Sequence, residues 1–355
     1  MCGIIGYVGK NRAVPYLIRG LEHLEYRGYD SSGIAVSEGK EVITVKTSGR
    51  IKDLKTKLYG IELTAKCGIG HTRWATHGEP DDINSHPHSS SSGLFTVVHN
   101  GIIENYLSLK RELLSEGFTF RSSTDTEVIA NLLEKCYNGD VPETISKCRR
   151  LLEGSYALCI ICRDFPDMIY GVRKGSPLLC AKNGDGSFFS SDAIALMPYT
   201  KDIFVLDENE TAVIEKKRLS FFDENGKPVE KASERINLPE QSADKGDFPH
   251  FMLKEIFEQP QVLQKTFDSL VVNGEILPEL REMKKCFFAL QKICFVGCGS
   301  AYHAGVAGRL LTEKLGNITC VAETASEFRY GSTPLDAKTL CVFISQSGET
   351  ADTLA

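Results

Sequence analysis

Cys2 is the residue of this sequence whose position puts the most chemistry within reach. The chain opens Met1-Cys2-Gly3-Ile4-Ile5-Gly6. The small second side chain permits removal of the initiator Met, which leaves Cys2 as the N-terminus. One residue then carries both a thiol and a free α-amine. An α-amine has a reference pKa of about 8, so it accepts a proton near neutrality. Nucleophile and base come together, a one-residue counterpart of a Cys–His pair. Position alone leaves a plainer role open, that of a small buried residue opening a strand.

Four polar clusters in the first half could work with such a nucleophile. His71-Thr72-Arg73-Trp74-Ala75-Thr76-His77-Gly78 follows one strand-like run, and His99-Asn100-Gly101 follows another. Ser122-Ser123-Thr124-Asp125-Thr126-Glu127 precedes a helical pattern, and Tyr26-Arg27-Gly28-Tyr29-Asp30-Ser31 ends one. Taken singly they read as a charged loop, an Asn-Gly turn or a capped helix.

The elements that must position them are short and mixed. β-rich runs recur over Gly3 to Val8, Gly33 to Val36, Val42 to Lys46, Cys67 to His71, Leu94 to His99 and Tyr156 to Cys162. Val14, Leu17, Ile18, Leu21 and Leu24 repeat with a period near 3.6, predicting a helix from Val14 to Glu25. A second helix is expected over Asp125 to Tyr137, with a capping residue and acidic first turn from Thr124 to Glu127. Sheets with helices outside them are the coarse expectation.

Residues 216–250 are polar, with a turn signal at Asp223 to Gly226 between short strands, and form the best linker candidate; Lys254 to Arg281 reads as helix interrupted at Pro260 and Pro278. From Lys292 the pattern resets. Ile293 to Val296, a helix from Tyr302 to Leu315, then strands Thr319 to Ala322 and Thr339 to Ile344 predict the opening of a parallel α/β sheet. The chain stops at Ala355 with that sheet's further partners missing, so a truncated domain is expected.

Composition limits the classes of function. The 355 residues carry a net charge of −6, which offers no basic excess to a phosphate backbone and argues against nucleic acid as a partner. No apolar run approaches the roughly 18 residues of a membrane helix, and the N-terminus has no signal-peptide pattern. No membrane association and a cytoplasmic location are the expectation. Twelve cysteines are many for that compartment. The one C-x-x-C, Cys159 to Cys162, lies in a strand-like run, where residues three apart point to opposite faces and cannot share a metal. The thiols are expected to be reduced and structural.

Together the clusters resemble the class II glutaminase domain, an N-terminal-nucleophile hydrolase, over the first 240 residues. The matching strings are Cys2 to Gly6, Leu24 to Ser31, His71 to Gly78, His99 to Asn105 and Thr124 to Glu127, in the family's order. The resemblance implies an αββα sandwich. It implies that Cys2 attacks the side-chain amide of glutamine, forming a thioester and releasing ammonia. The α-amine would shuttle the proton. Asn100 and Gly101 would form the oxyanion hole, a kind of donor worth about 2.7–4 kcal/mol of barrier. Arg73 would hold the glutamine α-carboxylate bidentately and Asp125 the α-ammonium, with Thr76 and His77 beside them. Trp74 would gate the passage of ammonia.

The second half resembles an amidotransferase family that passes this ammonia to fructose 6-phosphate. Asp244 to Gly246 and His250 to Pro260 resemble its interdomain segment, and residues 290–355 the start of its sugar-isomerase (SIS) domain. The implied organisation is a glutaminase domain over 2–218, a linker with interdomain helices over 219–285, and a partial SIS α/β parallel-sheet domain over 286–355. Ser300, Ser345, Gln346, Ser347 and Thr350 would hold the sugar phosphate, since a Ser-rich strand end entering a helix suits an anion. Ala301 replaces a Ser usual in the family. Gly297-Cys298-Gly299 imitates a dinucleotide fingerprint, but Tyr302 occupies the third glycine position. No metal or organic cofactor is implied, and a homodimer is implied for the full-length protein. With the second SIS domain missing, the chain is expected to keep only the glutaminase step.

Overall fold

The computed structural model describes residues 2–74, 78–236, 246–272, 274–282, 289–346, 348 and 350–354. The chain divides into two compact units, residues 1–246 and 247–355. The first is built on two antiparallel sheets. In order across the first sheet lie β15 (Glu234–Arg235), β11 (Asp202–Val205), β9 (Leu179–Lys182), β10 (Gly186–Ser190), β1 (Gly3–Gly9), β4 (Cys67–Arg73), β2 (Ser31–Glu38) and β3 (Glu41–Ser48). The second runs β14 (Pro228–Val229), β13 (Leu219–Phe222), β12 (Thr211–Ile214), β8 (Ile169–Lys174), β7 (Gly154–Cys162), β6 (Phe95–Ile103) and β5 (His88–Ser89).

The period-2 alternation of side chains assigns each face to its own core. Ile4 and Val8 of β1 pack between the sheets with Ile69, Val98, Cys159 and Phe189. Ile5 and Tyr7 point the other way, onto Leu17, Leu21 and Leu24 of helix α1 (Ala13–Leu24) and Ile51 and Leu54 of α2 (Ile51–Leu58). The far side of the second sheet is covered by α3 (Tyr106–Ser115), α4 (Thr126–Cys136) and α5 (Val141–Arg149), whose Leu113, Ile129 and Ile145 meet Val97, Leu158 and Ile160. The layers are therefore helix, sheet, sheet, helix, the expected αββα sandwich. Cys159 lies in the core between the sheets and Cys162 in the core under the helices, so the sheet separates the C-x-x-C pair.

Two expectations are corrected. Residues 219–235, read as part of a connecting segment, pair into both sheets: β13 on β12, β14 on β13, and β15 on β11. The helix at 251 does not stop at Pro260. Helix α6 (Phe251–Leu270) runs through it, leaving the Ile256 carbonyl without its helical donor. It ends instead at a small hairpin of β16 (Val271–Val272) and β17 (Glu275–Ile276), with Gly274 at a φ of 79°.

The second unit holds a three-stranded parallel sheet in the order β19 (Thr319–Thr324), β18 (Lys292–Gly297), β20 (Thr339–Ile344). A helix over Ser300–Gly316 connects the first two strands. Among the described residues no helix is long and apolar enough to cross a membrane.

Candidate active site

Strand β1 lies in the middle of its sheet, bonded to β10 and β4, with Gly3 opposite Thr72 and Ile4 opposite His71. Antiparallel pairing thus delivers Cys2 to the end of β4. The Cys2 Sγ accepts the Trp74 N–H at 3.3 Å and lies 3.6 Å from the Trp74 carbonyl, to which the thiol donates. Burial pushes the thiol above its ordinary pKa. The Trp74 N–H and the Arg73 charge pull it down, and Asp125 pushes it up.

The string from Tyr26 to Ser31 is scaffold for this corner. A Cβ on Gly28 would stand 2.6 Å from the Arg73 carbonyl carbon and 2.8 Å from the Trp74 nitrogen; only glycine lets the two segments meet. The Asp30 N–H donates to the Arg73 carbonyl at 3.1 Å. The Arg27 guanidinium donates to the Ser191 carbonyl at 2.9 Å, and the Tyr26 hydroxyl donates to the Asp192 carboxylate at 2.6 Å. Ser191 in turn accepts the Ile4 N–H at 2.9 Å. The start of β1 is therefore held from both sides.

Asn100 comes from the opposite sheet. Strand β6 continues through His99, Asn100 and Gly101 rather than turning there. The Asn100 Nδ2–H donates to the Cys2 carbonyl at 3.0 Å. Gly101 adopts a φ of 128°, and a Cβ there would stand 2.0 Å from the Ser155 carbonyl oxygen on the paired strand. That position requires glycine.

Arg73 is buried, with its guanidinium 3.5 Å from the Glu79 carbonyl and 3.4 Å from that of Gly78. Asp125 is buried too, and its side chain makes no capping hydrogen bond to α4. Its backbone is already helical, with φ −67° and ψ −27°. Its Oδ2 instead accepts the Ile103 N–H of β6 at 2.9 Å. Glu127 also turns outward from the helix, accepting the N–H groups of Arg121 and Ser122 at 2.8 and 2.6 Å. Asn100 touches Cys2 directly, and the Arg73 and Asp125 charges both act on the Cys2 thiol. Trp74 stands at the mouth of the site, 46% exposed, with its ring edge-on to Tyr29 at 5.6 Å. Thr76 and His77 lie outside the described residues.

Sequence reasoning placed His71 and His99 in the polar clusters but assigned no role to the layer behind Asn100. His71 Nε2 lies 3.0 Å from both Asn100 Oδ1 and the His99 carbonyl. The His86 ring stacks on His71 at 4.1 Å, and His88 meets His86 edge-on at 4.9 Å. His99 Nδ1 is 2.9 Å from the Thr126 hydroxyl. Burial, with repulsion from neighbouring positive charge, holds His86 and His88 well below the ordinary range, and burial takes His71 down to about 3. All three are neutral at physiological pH. A signal was present: five of the eight histidines fall between positions 71 and 99, four of them on or beside buried strands.

The second unit brings its candidates together through parallel register. Gly297 pairs with Ile344, so the loops after β18 and β20 are neighbours. Ser300 is exposed in the first turn of the helix over Ser300–Gly316. Ser345 Oγ accepts the Gly348 N–H at 3.0 Å and lies 3.4 Å from the Thr350 hydroxyl. Gln346 is exposed, and Ser347 lies outside the described residues. Ala301 packs against the strand end: a Cβ on Gly297 would stand 3.2 Å from its own.

The sequence matches a glutamine amidotransferase domain followed by an SIS domain. The family described as glutamine amidotransferase domain matches residues 71–198, and the SIS domain family matches residues 288–355. Over its whole length the chain is similar to the glutamine–fructose-6-phosphate aminotransferases (isomerizing). It is 46% identical over 357 residues to that of Caldanaerobacter subterraneus, covering 100% of this chain and 59% of the relative. It is 45% identical over 354 residues to that of Aquifex aeolicus, covering 99% and 59%. The chain thus spans 59% of the length of these curated relatives. The solved glutamine phosphoribosylpyrophosphate amidotransferase from B. subtilis, complexed with ADP and GMP, shares the fold at a TM-score of 0.53 and 20% identity, over 95% of this chain and 69% of that one.

Proposed function

We propose that residues 1–246 hydrolyse glutamine to glutamate and ammonia, and that the whole enzyme passes the ammonia to fructose 6-phosphate to give glucosamine 6-phosphate. The reading rests above all on the Asn100 amide, whose N–H is directed at Cys2 across the sheet interface.

Once Met1 is removed, the Cys2 α-amine takes the thiol proton, directly or through one water. The thiolate attacks the amide carbon of glutamine. Asn100 Nδ2–H and the Gly101 N–H stabilise the oxyanion. The C–N bond breaks, the amine returns the proton to the leaving group, and ammonia departs from a glutamyl thioester. Water then attacks the thioester, releasing glutamate and restoring the thiol. The same two donors serve both steps. Arg73 binds the glutamine α-carboxylate and Asp125 its α-ammonium, with Thr76 and His77 alongside. Trp74, at the mouth, gates ammonia passage.

In the second unit, Ser300, Ser345, Gln346, Ser347 and Thr350 hold the phosphate of fructose 6-phosphate. Supporting this, β18 is flanked by β19 on one side and β20 on the other. The strand order reverses there, and ligands of open α/β sheets bind outside the carboxyl ends of the strands at such a point. The full-length protein acts as a homodimer in the cytoplasm, with its cysteines reduced.

Glutamate release by the wild type and by Cys2→Ala, with the intact mass of each, tests the reading. Loss of Met1 and abolished hydrolysis in the variant are expected. Retained Met1, or an equally active variant, contradicts it. Fructose 6-phosphate is expected to raise the melting temperature of the wild type and to raise that of Ser345→Ala less.

A further inference from the structure

We propose that His71 is the positioning residue of the oxyanion hole, its Nε2–H holding the Asn100 amide so that Nδ2 faces Cys2. The inference rests on the glutaminase reading and names a residue that reading does not use.

An amide can present its oxygen or its nitrogen to the nucleophile. At Cys2 the nearest Asn100 atom must be a donor, because it meets the Cys2 carbonyl at 3.0 Å. The oxygen is then turned to His71 Nε2, again at 3.0 Å. That nitrogen also faces the His99 carbonyl at 3.0 Å. Two acceptors around one ring nitrogen require it to carry the hydrogen. The tautomer of His71 and the orientation of Asn100 thus determine each other.

His71 has little freedom to do otherwise. It is wholly buried within β4, and the stacked His86 ring lies 4.1 Å away at 14°. His86 is itself pinned. Its Nδ1 accepts the His99 N–H at 3.3 Å, so its Nε2 carries the hydrogen and donates to the Thr126 hydroxyl at 3.4 Å. The His71 Nδ1 has no hydrogen-bond partner among the described residues. A proton there would be a second buried donor without an acceptor, so the imidazole stays neutral and its single N–H stays on Nε2.

Without this support the amide would be held only through the Cys2 carbonyl, and Nδ2 would lose its fixed placement toward the developing oxyanion. Binding of glutamine, assigned to Arg73 and Asp125, would be untouched. The loss therefore belongs in kcat. A precise oxyanion donor is worth about 10²–10³ in kcat, and a misplaced one forfeits part of that.

The test compares His71→Phe, which keeps a ring against His86 but has no donor, with His71→Gln, which restores an N–H near the Nε2 position. His71→Phe is expected to lower kcat for glutamine roughly 10–100-fold with KM within about twofold, a part of the loss from deleting the donor. His71→Gln is expected to recover most of the rate. Alkylation of Cys2 by iodoacetamide, which forms no oxyanion, should proceed at the wild-type rate in both. In an Asn100→Ala background His71→Phe should cost nothing more. Wild-type kcat in His71→Phe, no recovery in His71→Gln, or an undiminished further loss without Asn100 overturns the proposal. If His71→Phe does not fold, the imidazole ¹⁵N spectrum of the wild type decides. Nε2–H on His71 is expected, and Nδ1–H overturns the proposal. Failure of the glutaminase reading itself would show separately, as wild type without Cys2-dependent glutamate release.

Discussion

Asn100 and Cys2 belong to different sheets, yet the Asn100 Nδ2–H donates to the Cys2 carbonyl at 3.0 Å. The site is thus a joint between layers. One sheet supplies the nucleophile and the residues beside it, the other supplies the donor. Replacing Asn100 by Ala removes the donor while leaving Arg73 and Asp125 in place. We expect kcat to fall about 10²–10³-fold with KM little changed, read by steady-state glutamate release. A rise in KM at unchanged kcat would assign Asn100 to substrate binding instead.

Asp125 tests the other end of the substrate. Its Oδ2 accepts the Ile103 N–H, a bond that an Asn oxygen can also accept. Asp125→Asn should therefore fold and melt nearly as the wild type does, but lose the charge that faces an ammonium. A charged hydrogen bond of about 1.5–3 kcal/mol corresponds to roughly a 10–100-fold increase in KM. Equal KM values would remove Asp125 from the substrate site.

Gly101 separates geometry from chemistry. At a φ of 128°, and with the Ser155 oxygen 2.0 Å from the place a Cβ would take, alanine strains the backbone and pushes β6 from β7. A backbone held in such a region costs of order 1–3 kcal/mol, before the steric clash is counted. Thermal unfolding of Gly101→Ala should show a clearly lowered midpoint together with lost activity. A variant that melts like the wild type would contradict the placement of Gly101 within the ladder.

The buried histidines make stability depend on pH. His71, His86 and His88 have folded-state pKa values below the unfolded value of about 6.5, His71 down to about 3. Below pH 6.5 the unfolded chain takes up protons that the native state refuses. Their contribution is therefore complete above about pH 6.5 and declines as pH falls toward the folded values. The slope is about 1.4 kcal/mol per pH unit for each histidine. Urea unfolding of the wild type between pH 7 and 5 should show this decline, and His71→Gln should show a shallower one. A flat profile would mean that the histidines take up protons in the folded protein as readily as in the unfolded chain.

Much of the fold was legible because its elements announce themselves locally. The strand at Gly3, the helix from Ala13 and the three parallel strands of the second unit sit where periodicity puts them, since each buries one face or both. What escaped depends on partners far away in the chain. The turn at Asp223 to Gly226 marked short strands on either side of it, but that Leu219–Phe222, Pro228–Val229 and Glu234–Arg235 belong to the sheets shows only when β12, β13 and β11 pair with them. The break after α6 does carry a local signal, the Asn273-Gly274 pair, which favours a tight hairpin. Pro260 is the more conspicuous breaker, yet the helix continues through it. At the site, Cys2 stands out by its position, while the roles expected of Arg73, Asn100 and Asp125 come from the resemblance to known glutaminases. The role of His71 was not legible, because it exists only where β4 and β6 face each other across the two sheets.

The central claim is that Cys2 becomes the N-terminus and carries the glutamyl group. Rapid acid quench of the wild type during turnover with glutamine, followed by mass analysis of the N-terminal peptide, tests this most directly. The account predicts a peptide that begins at Cys2 and carries one thioester-linked glutamyl group, lost on treatment with hydroxylamine. A peptide that begins at Met1, or one that stays unmodified while glutamate accumulates, would contradict it.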